Sequence, residues 1–303
     1  MAARHVGLIV VALIVVALAG LATRVLSGAS GPSTLSGLFP LSEEVVDQIV
    51  IRSGDREVRL FKVGGEWRAG THSAFATRLD DVWGAVDLLE SAQTVAESPA
   101  SHAILGVDSE AGVNVLFHRD GGVLETLIIG RWSEDAQLNY LRRPPGDTVY
   151  SLPFELAFIF VPDPDAWRDP VIVSVTPGQV QSVTVSGADG AYTLDRAGPG
   201  WTLTDGGGGR PAIGQRVDVV LRLLAPLVAD GFATADEAED LDFGAPDGII
   251  ALSVSGGGPD QALAFLRRDG ASFYVTVQGS RTVYTVGGLV VEGLLTPADE
   301  LTF

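Results

Sequence analysis

The stretch VDQIVIRSGDREVRLFKVGGEWRA (46–69) lies 134 residues before VQSVTVSGADGAYTLDRAGPGWTL (180–203), and the two read as one pattern written twice. At that constant offset Val46 meets Val180, Ile51 meets Val185, Leu60 meets Leu194 and Trp67 meets Trp201. Each copy alternates apolar and polar residues as a half-buried strand does, turns, runs back as a second strand, and turns again at glycines before a strand that opens with Trp. The second turns are Gly64-Gly65 and Gly198-Pro199-Gly200. Gly-Gly suits a two-residue hairpin, whose central positions often need positive φ.

Outward from this pair the duplication continues. Leu79, Val82, Val86 and Leu89 recur at helical spacing, and Val217, Val220, Leu224 and Leu227 repeat the stripe. Both sets lie along one face of a 3.6-residue helix. The offset has grown here to 138, with Gly206–Gly209 as a flexible-loop insertion, and Gly106 and Gly244 keep it. The register then returns to 134: Tyr140 meets Tyr274 and Tyr150 meets Tyr284, in LNYLRRPPGDTVYSL (138–152) and SFYVTVQGSRTVYTV (272–286). Both segments read as strand–turn–strand. The segment AWRDPVIVSVTPGQ (166–179) joins the copies. The fold class that follows is α+β: two tandem copies of a mostly antiparallel sheet with one principal amphipathic helix each, preceded by a single transmembrane helix. The divisions are an anchor at 1–23, a linker at 24–44, a first repeat at 45–174 and a second at 175–303.

The transmembrane helix is read from Val6–Ala22, seventeen apolar residues after Arg4 and His5. At about 1.5 Å per residue they reach about 25 Å, close to the thickness of a bilayer core. Ala17-Leu18-Ala19 also fits a small-x-small signal cleavage pattern, so anchor and cleaved signal both stand. Either reading carries the acidic bulk across the cytoplasmic membrane to the periplasm or exterior. The Gly-, Ser- and Pro-rich linker that follows reads as a tether.

The 303-residue chain carries a net charge of −18 and no cysteine. The acidity repels phosphate backbones, so no nucleic-acid partner is expected. The lack of cysteine removes disulfides, thiol nucleophiles and thiolate metal sites.

The repeated hairpin ending in EWRA (66–69) and GWTL (200–203), the two helices, ILGV (104–107) and LDFGAP (241–246), and the late hairpins NYL…TVYSL and FYVTV…TVYTV resemble the domain-of-unknown-function 4340 family. The joint WRDPVIVSV (167–175) resembles that family as well. The resemblance implies a bacterial envelope protein with one N-terminal membrane helix and no established activity. Some members accompany auxiliary components of gliding-motility-type ABC transporters. It supplies no catalytic residues.

The residues themselves point to no catalytic, cofactor-binding or metal site. His5, His72, His102 and His118 show no metal-ligand spacing. Asp236, Glu237, Glu239, Asp240 and Asp242 lack the ligand order of a calcium loop and read as a solvated loop between helix and strand. Asp163 and Asp165 read as a surface turn, and Gly206–Gly209 is not followed by the Lys-Ser/Thr of a phosphate loop. Trp67 and Trp201 read as core anchors, while Trp83 and Trp132 are the ones that could face a partner. The expected protein is thus not an enzyme and needs no cofactor. It is a membrane-anchored accessory or assembly protein that binds an envelope partner, ABC transporter subunits among the possibilities. The alternative is an envelope hydrolase or ligand-binding module with a site between the repeats.

Overall fold

The computed structural model describes residues 35, 41–188, 190–256 and 260–303. The anticipated membrane helix and most of the linker lie outside the described residues. Among those described, no helix is long and apolar enough to cross a membrane. The chain divides into two compact units at Trp167/Arg168, within the expected joint.

The first unit runs β1 (Gln48–Ser53), β2 (Arg56–Val63), β3 (Glu66–Ala69), β4 (His72–Ser73), α1 (Ala76–Leu88) and β5 (Gln93–Ala96). It continues with α2 (His102–Leu105), β6 (Val113–Arg119), β7 (Gly122–Ser133), β8 (Leu138–Arg142) and β9 (Val149–Leu152). Its nine strands form one sheet in the order β4-β3-β2-β1-β6-β7-β8-β9-β5. The second unit runs β10 (Val171–Val173), β11 (Val180–Gly187), β12 (Gly190–Ala197), β13 (Gly200–Asp205), β14 (Gly208–Pro211), α3 (Gly214–Leu223) and β15 (Leu227–Val228). After it come β16 (Gly231–Phe232), α4 (Ala235–Asp240), β17 (Gly248–Val254), β18 (Gln261–Arg267), β19 (Ser272–Val277), β20 (Val283–Gly287) and α5 (Gly288–Leu294). Its nine-stranded sheet has the order β14-β13-β12-β11-β17-β18-β19-β20-β16, the same path strand for strand. All named strand pairs in both sheets are antiparallel.

The inward faces repeat almost residue for residue. Ile49 pairs with Leu60 and Ile51 with Val58, as Val183 pairs with Leu194 and Val185 with Tyr192, and all eight are buried. Trp67 and Trp201 are 7% and 6% exposed, so both sit in their cores. Two further devices repeat that no hydrophobic pattern announces. Lys62 stacks on Trp67, with Nζ 5.0 Å from the ring centroid, and donates to the Glu43 carbonyl. Arg196 stacks on Trp201 at 4.4 Å and donates to the Pro177 carbonyl at 2.7 Å. A cation on a tryptophan face thus holds the chain entering each copy. At the other end, Arg78 donates to the Ala166 carbonyl and Arg216 to that of Glu300, while the amides of Phe75 and Ile213 donate to the carbonyls of Trp167 and Leu301. Trp167 and Leu301 are both fully buried. Each copy is closed by tying its last turn to the start of its main helix.

Two expectations are corrected. The stripe through Leu227 overruns its helix: α3 stops at Leu223, and Leu227 pairs with Val173 in a two-stranded ladder. Pro226 is the reason, since it disfavours helix at Ala225 and cannot donate within one. The acidic run is not a loop throughout, because 235–240 form a helical turn capped by Thr234. Gly206–Gly209 belong to the hairpin between β13 and β14, where Gly208 at φ +102° takes a conformation costly for any side chain.

Candidate functional site

The two units keep their cores and differ on their outward faces. In the first, Arg59, Val50, Leu116 and Thr126 form one row across β2, β1, β6 and β7. The matching row of the second is Thr193, Thr184, Ala251 and Ala262. One row along, Glu57, Arg52, Asn114, Ile128 and Arg142 give way to Ala191, Ser186, Ile249, Ala264 and Thr276. Along these rows the first unit carries Arg59, Glu57, Arg52 and Arg142 where the second carries no charged residue.

Among the described residues, several concavities carry polar chemistry, one in the second unit and others in the first. In the second unit, a cavity of about 490 Å³ is floored by Tyr192 and Phe273 and rimmed by Asp247, Arg267, Glu292 and Glu300. Tyr192 Oη donates to the Thr296 carbonyl at 2.7 Å, and burial pushes its phenol above the ordinary tyrosine range. Arg267 lies over Phe273 at 4.5 Å, and its amide donates to Asp247 Oδ2 at 2.7 Å. In the first unit, a concavity of about 470 Å³ lies beside the Glu125–Arg143 pair. Glu125 is 5% exposed and meets Arg143 at 2.9 and 2.6 Å, which raises the guanidinium pKa. Gln261 and Val277 stand at the matching positions of the second unit, so this pair belongs to the first copy alone.

Another concavity adjoins the start of the first unit. Two depressions, of about 330 and 290 Å³, share Glu43 and Asp80. Trp67 and Trp83 line them, with ring centroids 6.1 Å apart. Trp67 Nε1 donates to Glu43 Oε1 at 3.1 Å. Glu66, Glu44 and Asp87 stand around the edge, and the Ser42 hydroxyl holds the Glu44 carboxyl below its usual range.

The residues singled out in the sequence fall in scattered places. His5 lies outside the described residues. His72 sits on β4 with Nδ1 3.3 Å from the Thr71 hydroxyl, and His102 Nε2 is 2.8 Å from the Asp147 carbonyl oxygen. Burial lowers the His118 pKa, with Asp47 opposing. Among the described residues, no group of three or more His, Asp or Glu is placed to hold a metal ion. Asp163 and Asp165 are exposed in a surface turn, where Asp163 Oδ1 accepts the Asp165 amide at 3.1 Å. Trp132 is half-buried at the irregular end of β7.

Glu237 is the exception within the acidic run. Oε2 accepts the Thr234 amide at 2.8 Å, closing a capping box, while Oε1 accepts Tyr274 Oη at 2.7 Å and Arg268 Nη2 at 3.0 Å. Led by the Thr234 amide, these donors pull its carboxyl down to about 2. A carboxylate with a depressed folded pKa stabilises the fold fully above its unfolded value of about 4.3, and the contribution fades as pH falls. The difference in unfolding free energy between wild type and Glu237→Gln is therefore expected to be flat above about pH 5 and to shrink between about 4.3 and 2. Urea titrations across that range check it, and a pH-independent difference would show that the network does not hold in solution.

The fold defines a class: a sheet-rich α+β protein made of two tandem copies of a nine-stranded antiparallel unit. Within that class, the family model described as domain of unknown function (DUF4340) matches residues 67–246, and the chain belongs to that family. The match crosses the joint between the units. No curated protein and no solved structure matches the chain.

Proposed function

We propose that the chain is a membrane-tethered accessory or assembly protein, held by its N-terminal hydrophobic segment with both units on the periplasmic or outer side. It acts by binding an envelope protein and not by covalent chemistry. The observation that supports this is the divergence of the outward faces over two matching cores. Conserving a fold while recasting its surface from Arg59, Glu57 and Arg52 to Thr193, Ala191 and Ser186 suits two modules that meet different surfaces. Two modules on one chain also raise the effective concentration of the second contact once the first has formed. Subunits of an ABC-type transport system are the first partners to seek, on the family resemblance. A second reading, a ligand-binding module or hydrolase, draws on the cavity flanked by Tyr192, Arg267 and Glu292, which lies within the second unit.

The test is in-cell crosslinking of the tagged full-length protein, recovery from membranes and mass spectrometry. A reproducible envelope partner is expected. An abundant, folded protein that brings down no partner would overturn the assembly role.

A further inference from the structure

We propose that the acid-rimmed tryptophan groove of the first unit docks an extended, arginine- or lysine-bearing segment of the partner protein. The inference deepens the binding role proposed above and rests on it. Along α1, Asp80, Trp83 and Asp87 follow one another at spacings of three and four, which puts them on one helix face. Glu43 and Glu44 approach from the segment that enters β1, and Glu66 from the first position of β3. The cations already present serve one bank of the groove: Lys62 stacks on Trp67 and donates to the Glu43 carbonyl, and Arg68 pairs with Glu66 at 3.2 Å. Among the described residues, neither Asp80 nor Asp87 has an ion-pair partner, and both are exposed.

Carboxylates on two banks and a half-buried indole between them match a guanidinium or ammonium group, which is drawn by the charge and can stack on the ring. The two depressions are joined through Glu43 and Asp80, so the trough suits several residues of extended chain better than one small ion. Overall acidity does not account for the constellation. With the helix offset of 138 and the strand offset of 134, the matching positions are Asp218, Leu221, Ala225, Pro177, Gly178 and Gly200, which keep a single carboxylate. A second copy of this chain, at net charge −18, is a poor occupant.

The probe is the fluorescein-labelled peptide Gly-Arg-Gly-Arg-Gly-Arg-Gly, titrated by anisotropy against full-length protein in detergent micelles at moderate salt. Asp80→Asn with Asp87→Asn is expected to weaken binding about tenfold, as two lost charge pairs would. Trp83→Leu, which installs the residue found at position 221, is expected to weaken it comparably. Asp236→Asn with Asp242→Asn removes the same charge from the second unit and is expected to change binding less than about twofold. Equal weakening by that control would overturn the proposal by making the binding a matter of net charge. No weakening by the Asp80/Asp87 pair would overturn it too, and this arm decides alone should Trp83→Leu lose its near-ultraviolet circular dichroism. A cellular partner crosslinked equally well by the Asp80/Asp87 variant would remove the groove and leave the assembly role standing.

Discussion

Replacing Trp167 with Ala is expected to cost the first unit about 4–6 kcal/mol, enough to bring it close to unfolding. The side chain is fully buried, and truncating a buried Trp typically costs about 3–5 kcal/mol through lost transfer energy and an unfilled cavity. Its Nε1 also donates to the Val161 carbonyl at 2.8 Å, which the variant leaves without that donor. Arg78 lies over the ring at 5.3 Å while donating to the Phe158 and Ala166 carbonyls at 2.9 Å. Removing the ring therefore frees the turn that ties the end of the unit to the start of α1. Urea unfolding followed by near-ultraviolet circular dichroism and hydrogen exchange checks the prediction. Protection should fall in residues 41–167 first, and a total loss below about 2 kcal/mol would show that the closing turn is not a principal support.

The closing turn also shows what could be read in the sequence and what could not. The strands around Trp67 and Trp201 and the late tyrosine hairpins were legible, because period-two alternation and paired aromatics depend only on neighbours along the chain. The equivalence of Trp167 and Leu301 was not, since the two share only apolarity, and their shared role lies in carbonyls that accept from distant amides. The end of α3 was legible in principle from Pro226, but the Leu227 stripe argued the other way. Glu237 was hidden for a further reason. Its partners Arg268 and Tyr274 lie 31 and 37 residues away, and only the strand register brings them to the α4 cap. The groove's carboxylates likewise come from three separate segments: 41–44, the start of β3 and α1. Of these, only the Asp80–Trp83–Asp87 spacing was open to a helical-wheel reading.

Asn139→Leu is expected to destabilise the first unit by about 3–5 kcal/mol although the two side chains share a branched four-atom skeleton. The reason begins in the pairing of β7 with β8, whose register shifts between Ile129 and Trp132. A bulge leaves backbone groups without ladder partners. Asn139, fully buried, supplies them: Nδ2 lies 3.0 Å from the Gly130 carbonyl and 3.1 Å from that of Arg131, while Oδ1 accepts the Leu156 amide at 2.7 Å. Leucine can neither donate nor accept, so one amide and two carbonyls lose these partners, at about 1–3 kcal/mol for each group left unsatisfied. The second unit supplies the comparison. Phe273 holds the matching position, and β18 and β19 pair there without a shift, so no carbonyls need a donor. Phe273→Leu is accordingly expected to cost only about 1–2 kcal/mol, as a modest loss of packed volume. If Asn139→Leu proved as mild as Phe273→Leu in denaturant titration, the amide would be a passenger and the bulge would satisfy itself by other means. A large difference would make the polar plug the reason that this buried position differs in kind between the two units.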